Sequence, residues 1–144
     1  MGLYNEKTGY WIDNEKGIAS EVTFPFNLNV LRHMFKTDDL VMPKYFLGMH
    51  PYRILCKSNP KPKDNPTILT SEGKALINGP VFILGATSTK DGVRSLTKDE
   101  TVWFIQHTVL RPIDAYLEGY VDYSQIGYTI KGFSEEPVFT IEGD

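Results

Sequence analysis

Four basic residues near the middle of the chain are the strongest candidates for binding chemistry. Arg53 precedes a basic stretch, residues 57–66, in which Lys57, Lys61 and Lys63 alternate with three prolines. Ammonium groups on a loop stiffened by proline lose less conformational entropy on binding than the same groups on a flexible loop. The pattern therefore predicts a binding site for a small anionic ligand or a partner protein. The alternative is a solvated loop whose lysines only face water.

The residues that could serve catalysis or metal binding form no recognisable motif. His33, His50 and His107 are far apart in the sequence, and none has a second ligand-type residue at the spacing typical of zinc or iron sites. Gly79 and Gly85 enclose five residues, whereas a phosphate-binding P-loop has four and continues with lysine. We therefore predict no catalytic residue, no metal site and no cofactor.

Cys56 and the acidic residues of the last third have ordinary structural interpretations. Cys56 is the single cysteine and ends an apolar segment, so we expect a buried structural thiol and a reducing compartment. Asp114 and Glu118 would share one face of a short helix over 113–118. Glycosidase carboxylates face each other across the scissile bond, so this pair is interpreted as a solvated acidic face.

Charge is distributed unevenly along the chain. Residues 41–100 carry nine Lys and Arg against five Asp and Glu, whereas residues 101–144 carry two against seven. Such asymmetry suits a protein partner or head-to-tail association into a homo-oligomer, and both are left open. The whole chain has a formal charge of −3, and the basic loop contains no aromatic residue. General nucleic-acid binding, which needs a broad positive surface, is therefore not expected.

The first helix is predicted over about residues 28–37. Leu28, Leu31 and Phe35 follow at the spacing of one helical face, which is typical of an amphipathic helix. Asn27 precedes them and is the expected N-cap.

The second helix is predicted over about residues 98–110. Thr97 and Glu100 have the spacing of a capping box, in which each side chain bonds the other residue's backbone amide. Val102 and Ile105 are expected on the buried face of this helix, and Pro112 is expected to end it.

Segments of strand-like pattern outnumber the helices by about three to one and do not alternate with them regularly. This order favours an α+β fold over a doubly wound one. The most apolar run, residues 81–84, is expected to be a central strand buried on both faces. We therefore predict a single α+β domain over residues 1–144, a mostly antiparallel sheet packed against the two helices. The other predicted strands span residues 8–13, 18–26, 44–49, 52–56, 75–78, 119–123, 127–131 and 138–141.

Nothing in the sequence indicates membrane insertion or export. No apolar run approaches the roughly 18 to 20 residues that a spanning helix needs. Residues 1–6 lack the basic and apolar regions of a signal peptide. A soluble cytoplasmic protein with no membrane partner is expected.

Five stretches together resemble a family of small uncharacterised proteins encoded by phages and plasmids. They are Ile-Leu-Cys (54–56), Asp-Asn-Pro (64–66), Glu-Gly-Lys (72–74), Ile-Asn-Gly-Pro-Val-Phe-Ile-Leu-Gly (77–85) and Ser-Leu-Thr (95–97). The resemblance covers about a third of the chain. It implies an accessory protein of a mobile element, acting in the cytoplasm of a bacterial host by capturing a host component.

The leading functional prediction is a non-enzymatic binding module of a phage or mobile element. It would capture a host protein or a small anionic ligand through Arg53, Lys57, Lys61 and Lys63. One alternative is a hydrolase or nuclease that acts on a nucleotide or RNA with histidines as acid and base. Another is a structural component of a virion.

Overall fold

The computed structural model describes residues 6–13, 16–37, 39–47, 50–58, 66–69, 75–87, 92–113 and 122–131. These residues form eleven strands and two helices. In chain order the elements are β1 (Glu6–Asp13), β2 (Ile18–Pro25), α1 (Leu28–Phe35), β3 (Leu40–Val41), β4 (Lys44–Leu47), β5 (His50–Lys57), β6 (Pro66–Leu69), β7 (Ala75–Asn78), β8 (Val81–Ala86), β9 (Val93–Arg94), α2 (Lys98–His107), β10 (Thr108–Ile113) and β11 (Asp122–Ile130).

Seven strands form an antiparallel sheet centred on β8. The strand order is β2-β1-β8-β5-β3, with β4 also paired to β5 and β9 also paired to β8. Strand β1 pairs with β8, and beyond the paired residues a Cβ atom at Gly9 would lie 2.4 Å from the carbonyl oxygen of Ile83. A glycine is therefore required at this position.

The other four strands form a second sheet in the order β10-β11-β6-β7. Its β11–β6 pair is parallel, whereas β10–β11 and β6–β7 are antiparallel. The predicted α+β class with mostly antiparallel strands is confirmed, and the strands are divided between two sheets.

Both faces of the seven-stranded sheet are buried, as the side chains of β8 show. Val81 and Ile83 belong to the core that also contains residues of α2 and the four-stranded sheet. Phe82 and Leu84 belong to a second core that contains residues of α1. All four are fully buried, which confirms the predicted central strand. A strand covered on both sides needs a continuous apolar run rather than an alternating one.

Helix α1 is confirmed, with Asn27 as its N-cap. The side-chain oxygen of Asn27 accepts from the amide of Val30 at 3.0 Å, and Leu31 and Phe35 are buried against the sheet. The last helical residue is Phe35, and Lys36 follows it in the left-handed conformation with φ 57°.

Helix α2 begins where the capping box predicts, but its buried face is different from the predicted one. Val102 is 40% exposed and Ile105 is 50% exposed, whereas Thr101 and Phe104 are buried. The Phe104 ring packs against two tyrosines of the sheet, Tyr10 at 5.9 Å and Tyr52 at 5.3 Å between ring centroids. The predicted face was wrong because this aromatic contact fixes the rotation of the helix.

The chain leaves α2 earlier than predicted. Thr108 and Val109 begin β10 and pair with Ile130 and Thr129 of β11, so the helix ends at His107 rather than near residue 110. Thr108 and Val109 are β-branched, and such residues favour a strand over a helix where a partner strand is available.

Two predictions about the last third were also wrong, as far as the described residues reach. Residues 124 and 125, predicted as a connector between two strands, lie inside the single strand β11. Ile113, predicted to begin a short helix, ends β10. The rest of that predicted helix, with Asp114 and Glu118, and the predicted strand 138–141 lie outside the described residues. Among the residues that are described, no helix is long and apolar enough to cross a membrane.

Candidate functional site

The structure separates the two predicted binding residues that it describes. Both Arg53 and Lys57 belong to β5. The Nη1 atom of Arg53 donates to the carbonyl oxygen of Met42 at 2.9 Å, so its guanidinium joins β5 to the segment between β3 and β4. Lys57 is the last residue of the strand and lines a cavity. Lys61 and Lys63 lie outside the described residues, so their predicted role stays a prediction.

The cavity has a volume of about 280 Å³ and lies at one end of the seven-stranded sheet. Its walls come from the end of β1, the start of β2, the carboxyl end of α1, the end of β5, β6 and the turn between β7 and β8. Three lysines line it: Lys16 from the β1–β2 turn, Lys36 directly after α1 and Lys57 at the end of β5. We call this feature the cationic cavity.

Lys57 is held at the cavity by the turn between β7 and β8. Gly79 in that turn has φ +82°, a conformation that favours glycine. A Cβ atom at Gly79 would lie 3.4 Å from Cδ and 3.6 Å from Cε of Lys57. The aliphatic part of the lysine therefore lies beside the bare glycine backbone.

Lys36 occupies a backbone position where glycine is the usual residue. Its φ of 57° places it in the left-handed region directly after α1, and its amide donates to the carbonyl oxygen of His33 at 3.3 Å. A residue with a Cβ is less stable here than glycine by about 1 kcal/mol. The chain thus carries a cation at a helix end where glycine would be more stable.

Two polar side chains of the lining are deeply buried. Asp13 is 8% exposed, and its Oδ1 atom accepts a long hydrogen bond of 3.4 Å from the amide of Lys16. The Asp13 carboxylate also interacts electrostatically with Tyr128. Burial is the main cause that raises the pKa of Tyr128, and this carboxylate raises that pKa further.

Thr67 is the most deeply buried polar residue of the lining. It is 1% exposed, and its Oγ1 atom has no hydrogen-bond partner among the residues that the structure describes. An unsatisfied buried hydroxyl destabilises a protein by about 1–3 kcal/mol.

The rest of the lining is mainly apolar. Trp11, at its inner wall, packs edge to face against Phe35 at 5.2 Å and against Phe24 at 5.5 Å. These contacts fix the ring in one orientation, so this wall is pre-formed. The apolar residues of the lining are Trp11, Ile18, Met34, Phe35 and Pro80.

The electrostatic balance of the cationic cavity is positive. Among the described residues of the lining, the lysines Lys16, Lys36 and Lys57 outnumber the single acidic residue, Asp13. Lys36 also complements the negative end of the α1 dipole. That explanation does not extend to Lys16 and Lys57, which belong to other elements.

A shallow, open depression adjoins the cavity at the end of α1. Arg32, His33, Lys36 and Thr37 line it, so His33 and Lys36 belong to both surfaces. Cationic groups therefore continue from the cavity to its outer rim.

The three histidines are not gathered into one site. His33 is on α1, and His107 is at the end of α2 on the opposite face of the seven-stranded sheet. The His107 ring stacks on Trp103 at 3.9 Å, and its Nδ1 donates to the Trp103 carbonyl oxygen at 2.7 Å. His50 is exposed at the start of β5. Within the described ranges, no group of three or more His, Cys, Asp or Glu residues is placed to hold a metal ion.

Cys56 is buried, as predicted, in the core between the two sheets. Burial raises the pKa of its thiol to about 12. The reactive thiolate is therefore negligible at neutral pH.

A second polar cluster, on the α2 side of the sheet, has the opposite character. Glu100 accepts hydrogen bonds from Arg94 Nη1 at 2.8 Å, Arg94 Nη2 at 2.9 Å, Tyr52 Oη at 2.7 Å and the Thr97 amide at 2.8 Å. These partners, with the Arg94 hydrogen bonds first, lower the pKa of Glu100 to about 2. We call these four residues the Glu100 cluster.

Sequence reasoning found Lys57 but missed the other groups around it. Lys16 and Lys36 are isolated in the sequence, and Thr67 falls in a short apolar strand. One local signal was present for Lys36, since a lysine stands where a helix of this kind usually ends in glycine. For Asp13, Lys16 and Thr67 the contact depends on the strand order, which the sequence pattern does not show.

Comparison with known proteins gives no match, whether with protein-family models, curated proteins or solved structures. The resemblance to phage and plasmid proteins stays a prediction. The interpretation of the cationic cavity depends on its own geometry.

Proposed function

We propose that this protein is a non-enzymatic binding module that holds a small anionic ligand in the cationic cavity. The observation that carries the proposal is that Lys16, Lys36 and Lys57, from three separate segments, line one cavity. Like charges repel one another, and this arrangement becomes favourable when an anion lies between them.

The lining supports binding rather than turnover. A hydroxyl nucleophile needs a base within hydrogen-bond reach, and Thr67 Oγ1 has no such neighbour among the described residues. A pair of histidines as acid and base would have to share one site, whereas His33 and His107 lie on opposite faces of a sheet.

The size of the cavity favours a small molecule over a host protein. Its volume of about 280 Å³ is near the lower end of the roughly 300–1,000 Å³ that is common for small-molecule sites. A protein partner would instead use a broad surface of about 800 Å² on each side. The phage or mobile-element setting and the capture of a host protein stay predictions from the resemblance.

The proposal is tested by thermal unfolding in the presence of four anions: inorganic phosphate, benzoate, benzenesulfonate and phenyl phosphate. A ligand at ten times its Kd stabilises the folded state by about 1.4 kcal/mol. For a chain of this length that raises Tm by about 4 °C. We expect at least one of these anions to raise Tm by that amount at millimolar concentration.

A matched pair of triple variants locates the effect. Lys16→Gln, Lys36→Gln and Lys57→Gln together should abolish the increase in Tm. Lys44→Gln, Lys98→Gln and Lys131→Gln, which remove the same charge outside the cavity, should retain it. The proposal is wrong if no anion stabilises the wild-type chain, or if the cavity variant responds as strongly as the control.

A further inference from the structure

We infer that the exposed side of α2 is a docking surface for residues 138–141 of this same chain. That segment reads Val-Phe-Thr-Ile and is predicted from the sequence to be a strand. It lies outside the described residues. The inference goes beyond the anion site, and neither proposal depends on the other.

The docking surface is an apolar pair that the packing of α2 leaves in water. Thr101 and Phe104 are buried, which turns Val102 and Ile105 outward, where both are exposed. Residues three apart on a helix are neighbours on its surface, with about 5–6 Å between their Cβ atoms. We call Val102 and Ile105 the α2 face. Covering it removes apolar area from water, which is favourable.

The described chain ends beside this helix. Strand β11 ends at Ile130, and the amide of Lys131 donates to the carbonyl oxygen of His107 at 3.0 Å. His107 is the last residue of α2. The chain after Lys131 therefore starts from the carboxyl end of the helix that carries the α2 face.

The segment has enough chain to reach the α2 face. Ile105 and Val102 lie two and five residues before His107, which corresponds to about 3 and 8 Å along the helix axis. Six residues, 132–137, connect Lys131 to the segment, and an extended connection of that length spans roughly 20 Å. The segment therefore reaches both side chains with length to spare for a turn.

The spacing of apolar side chains in the segment matches the spacing on the helix. In an extended chain, residues two apart lie on the same side and about 7 Å from each other. Phe139 and Ile141 would share one side of the segment, and Thr140 would lie on the other. Their separation is close to that of Val102 and Ile105, so two large apolar side chains of the segment can cover the two on the helix.

The tether favours this occupant over a separate molecule. A segment on a short flexible connection has an effective concentration on the order of millimolar at a surface that it can reach. Contacts of this small size are too limited to hold separate proteins together, which need about 800 Å² on each side. Within one chain the same contacts are sufficient to populate the docked state.

Paramagnetic relaxation in NMR tests the docking on the full chain. A nitroxide on Thr140→Cys would lie on the side of the segment away from the helix, while Cys56 is buried and stays unlabelled. We expect the label to broaden the amide signals of Val102 and Ile105 at least twice as strongly as those of α1. The reduced nitroxide is the diamagnetic reference.

A matched pair of variants separates docking from mere proximity of the tether. Phe139→Ser with Ile141→Ser removes the apolar side that would face the helix, and it should reduce the broadening at the α2 face at least twofold. Val138→Ser changes the opposite side and should retain the broadening. Equal broadening in the two variants, or no preference for the α2 face in the parent chain, would overturn the inference.

A mixed sample identifies which chain supplies the segment. It combines nitroxide-labelled chains without ¹⁵N and ¹⁵N-labelled chains without nitroxide, each at 0.05 mM. We expect no broadening at the α2 face, because the docking is within one chain. Broadening as strong as in the singly labelled sample would show that a second copy is the occupant and would overturn the assignment to the same chain.

Ile105→Gln gives a second readout whose sign depends on docking. Gln favours a helix slightly more than Ile does, so the change would leave Tm unchanged or raise it if the α2 face stayed in water. Docking predicts that it lowers Tm by about 2–4 °C. In the Phe139→Ser and Ile141→Ser background the same change should have no such effect, because contacting residues are not additive. An equal decrease in both backgrounds would contradict the contact.

Discussion

The Glu100 cluster and the cationic cavity use their charges differently. In the cluster, Glu100 accepts two hydrogen bonds from Arg94, one from Tyr52 and one from the Thr97 amide. In the cavity, three lysines and one aspartate are among the lining residues, and the hydroxyl of Thr67 has no partner among the described residues. The hydrogen bonds of Glu100 all come from the chain itself, whereas the described lining of the cavity has more basic residues than acidic ones.

This difference separates a structural use of charge from a binding use. Charges whose partners belong to the same chain stabilise the fold, and a ligand would have to displace those partners to bind there. Like charges brought together without enough opposite charge destabilise the free protein and favour the bound one. Variants in the Glu100 cluster should therefore change only the stability of the fold. Variants in the cavity should weaken ligand binding, and they should either raise the stability or leave it unchanged.

The largest effect is expected from Lys57→Glu. The change removes one ammonium group and adds a carboxylate to the lining of the cavity, so the affinity for phenyl phosphate should fall by about 100-fold, or roughly 2–3 kcal/mol. Titration calorimetry measures the affinity, with Lys131→Glu as the control of equal charge change outside the cavity. Equal affinities of the two variants would place the ligand elsewhere.

The next effect concerns the Glu100 cluster. Glu100→Gln removes the charge that Arg94 pairs with, and the free energy of unfolding should fall by about 1–2 kcal/mol at pH 7. The estimate is modest because the Arg94 side chain is 43% exposed and solvent screens the pair. Denaturant unfolding measures the loss, and calorimetry should show an unchanged affinity for phenyl phosphate.

The difference in stability between wild type and Glu100→Gln should depend on pH. The folded pKa of Glu100, about 2, is below its usual 4.5, so its contribution to stability is complete above about pH 5 and lost as the pH falls toward 2. The difference in unfolding free energy between wild type and Glu100→Gln should shrink over that interval. A difference that stays constant down to pH 2.5 would contradict the assignment.

A smaller effect of opposite sign is expected from Lys36→Gly. Glycine adopts φ 57° without strain, so the free energy of unfolding should rise by up to about 1 kcal/mol, while the affinity for phenyl phosphate falls about tenfold. Denaturant unfolding and calorimetry on the same sample measure both. If stability rises and affinity is unchanged, Lys36 serves only the end of α1.

The smallest effect is expected from Thr67→Val in the absence of ligand. Because the hydroxyl is buried and unpartnered, its removal should raise the free energy of unfolding by about 1 kcal/mol. Tyr45→Phe, which removes the hydroxyl of another buried side chain, is the comparison variant. A Thr67→Val protein that unfolds at lower denaturant than wild type would show that the hydroxyl has a partner.

The sequence predicted those features that depend on neighbouring residues. Asn27 and the Thr97–Glu100 capping box mark helix starts because their hydrogen bonds span only three residues. The run 81–84 predicted the central strand because a doubly buried strand needs no polar side chain. The buried face of α2 was not predictable, since the packing of Phe104 on Tyr10 and Tyr52 outweighed the apolar pattern of Val102 and Ile105.

The candidate site was predictable only in part, because its residues meet through tertiary structure. Lys57 stood out in a basic, proline-rich stretch, and the prediction of an anionic ligand came from that stretch. Lys16, Lys36 and Thr67 come from three other segments, and the cavity that they line depends on the pairing of β1 with β8 and on where α1 ends.

The most direct test of the anion site is an NMR titration of the ¹⁵N-labelled protein with phenyl phosphate and, separately, with benzoate. We predict saturable shifts of the Lys16, Lys36 and Gly79 amides with at least one of the two anions, while the Arg94 and Glu100 amides stay unchanged. Shifts concentrated at Arg94 and Glu100, or no saturable shift at the cavity with either anion, would contradict the account.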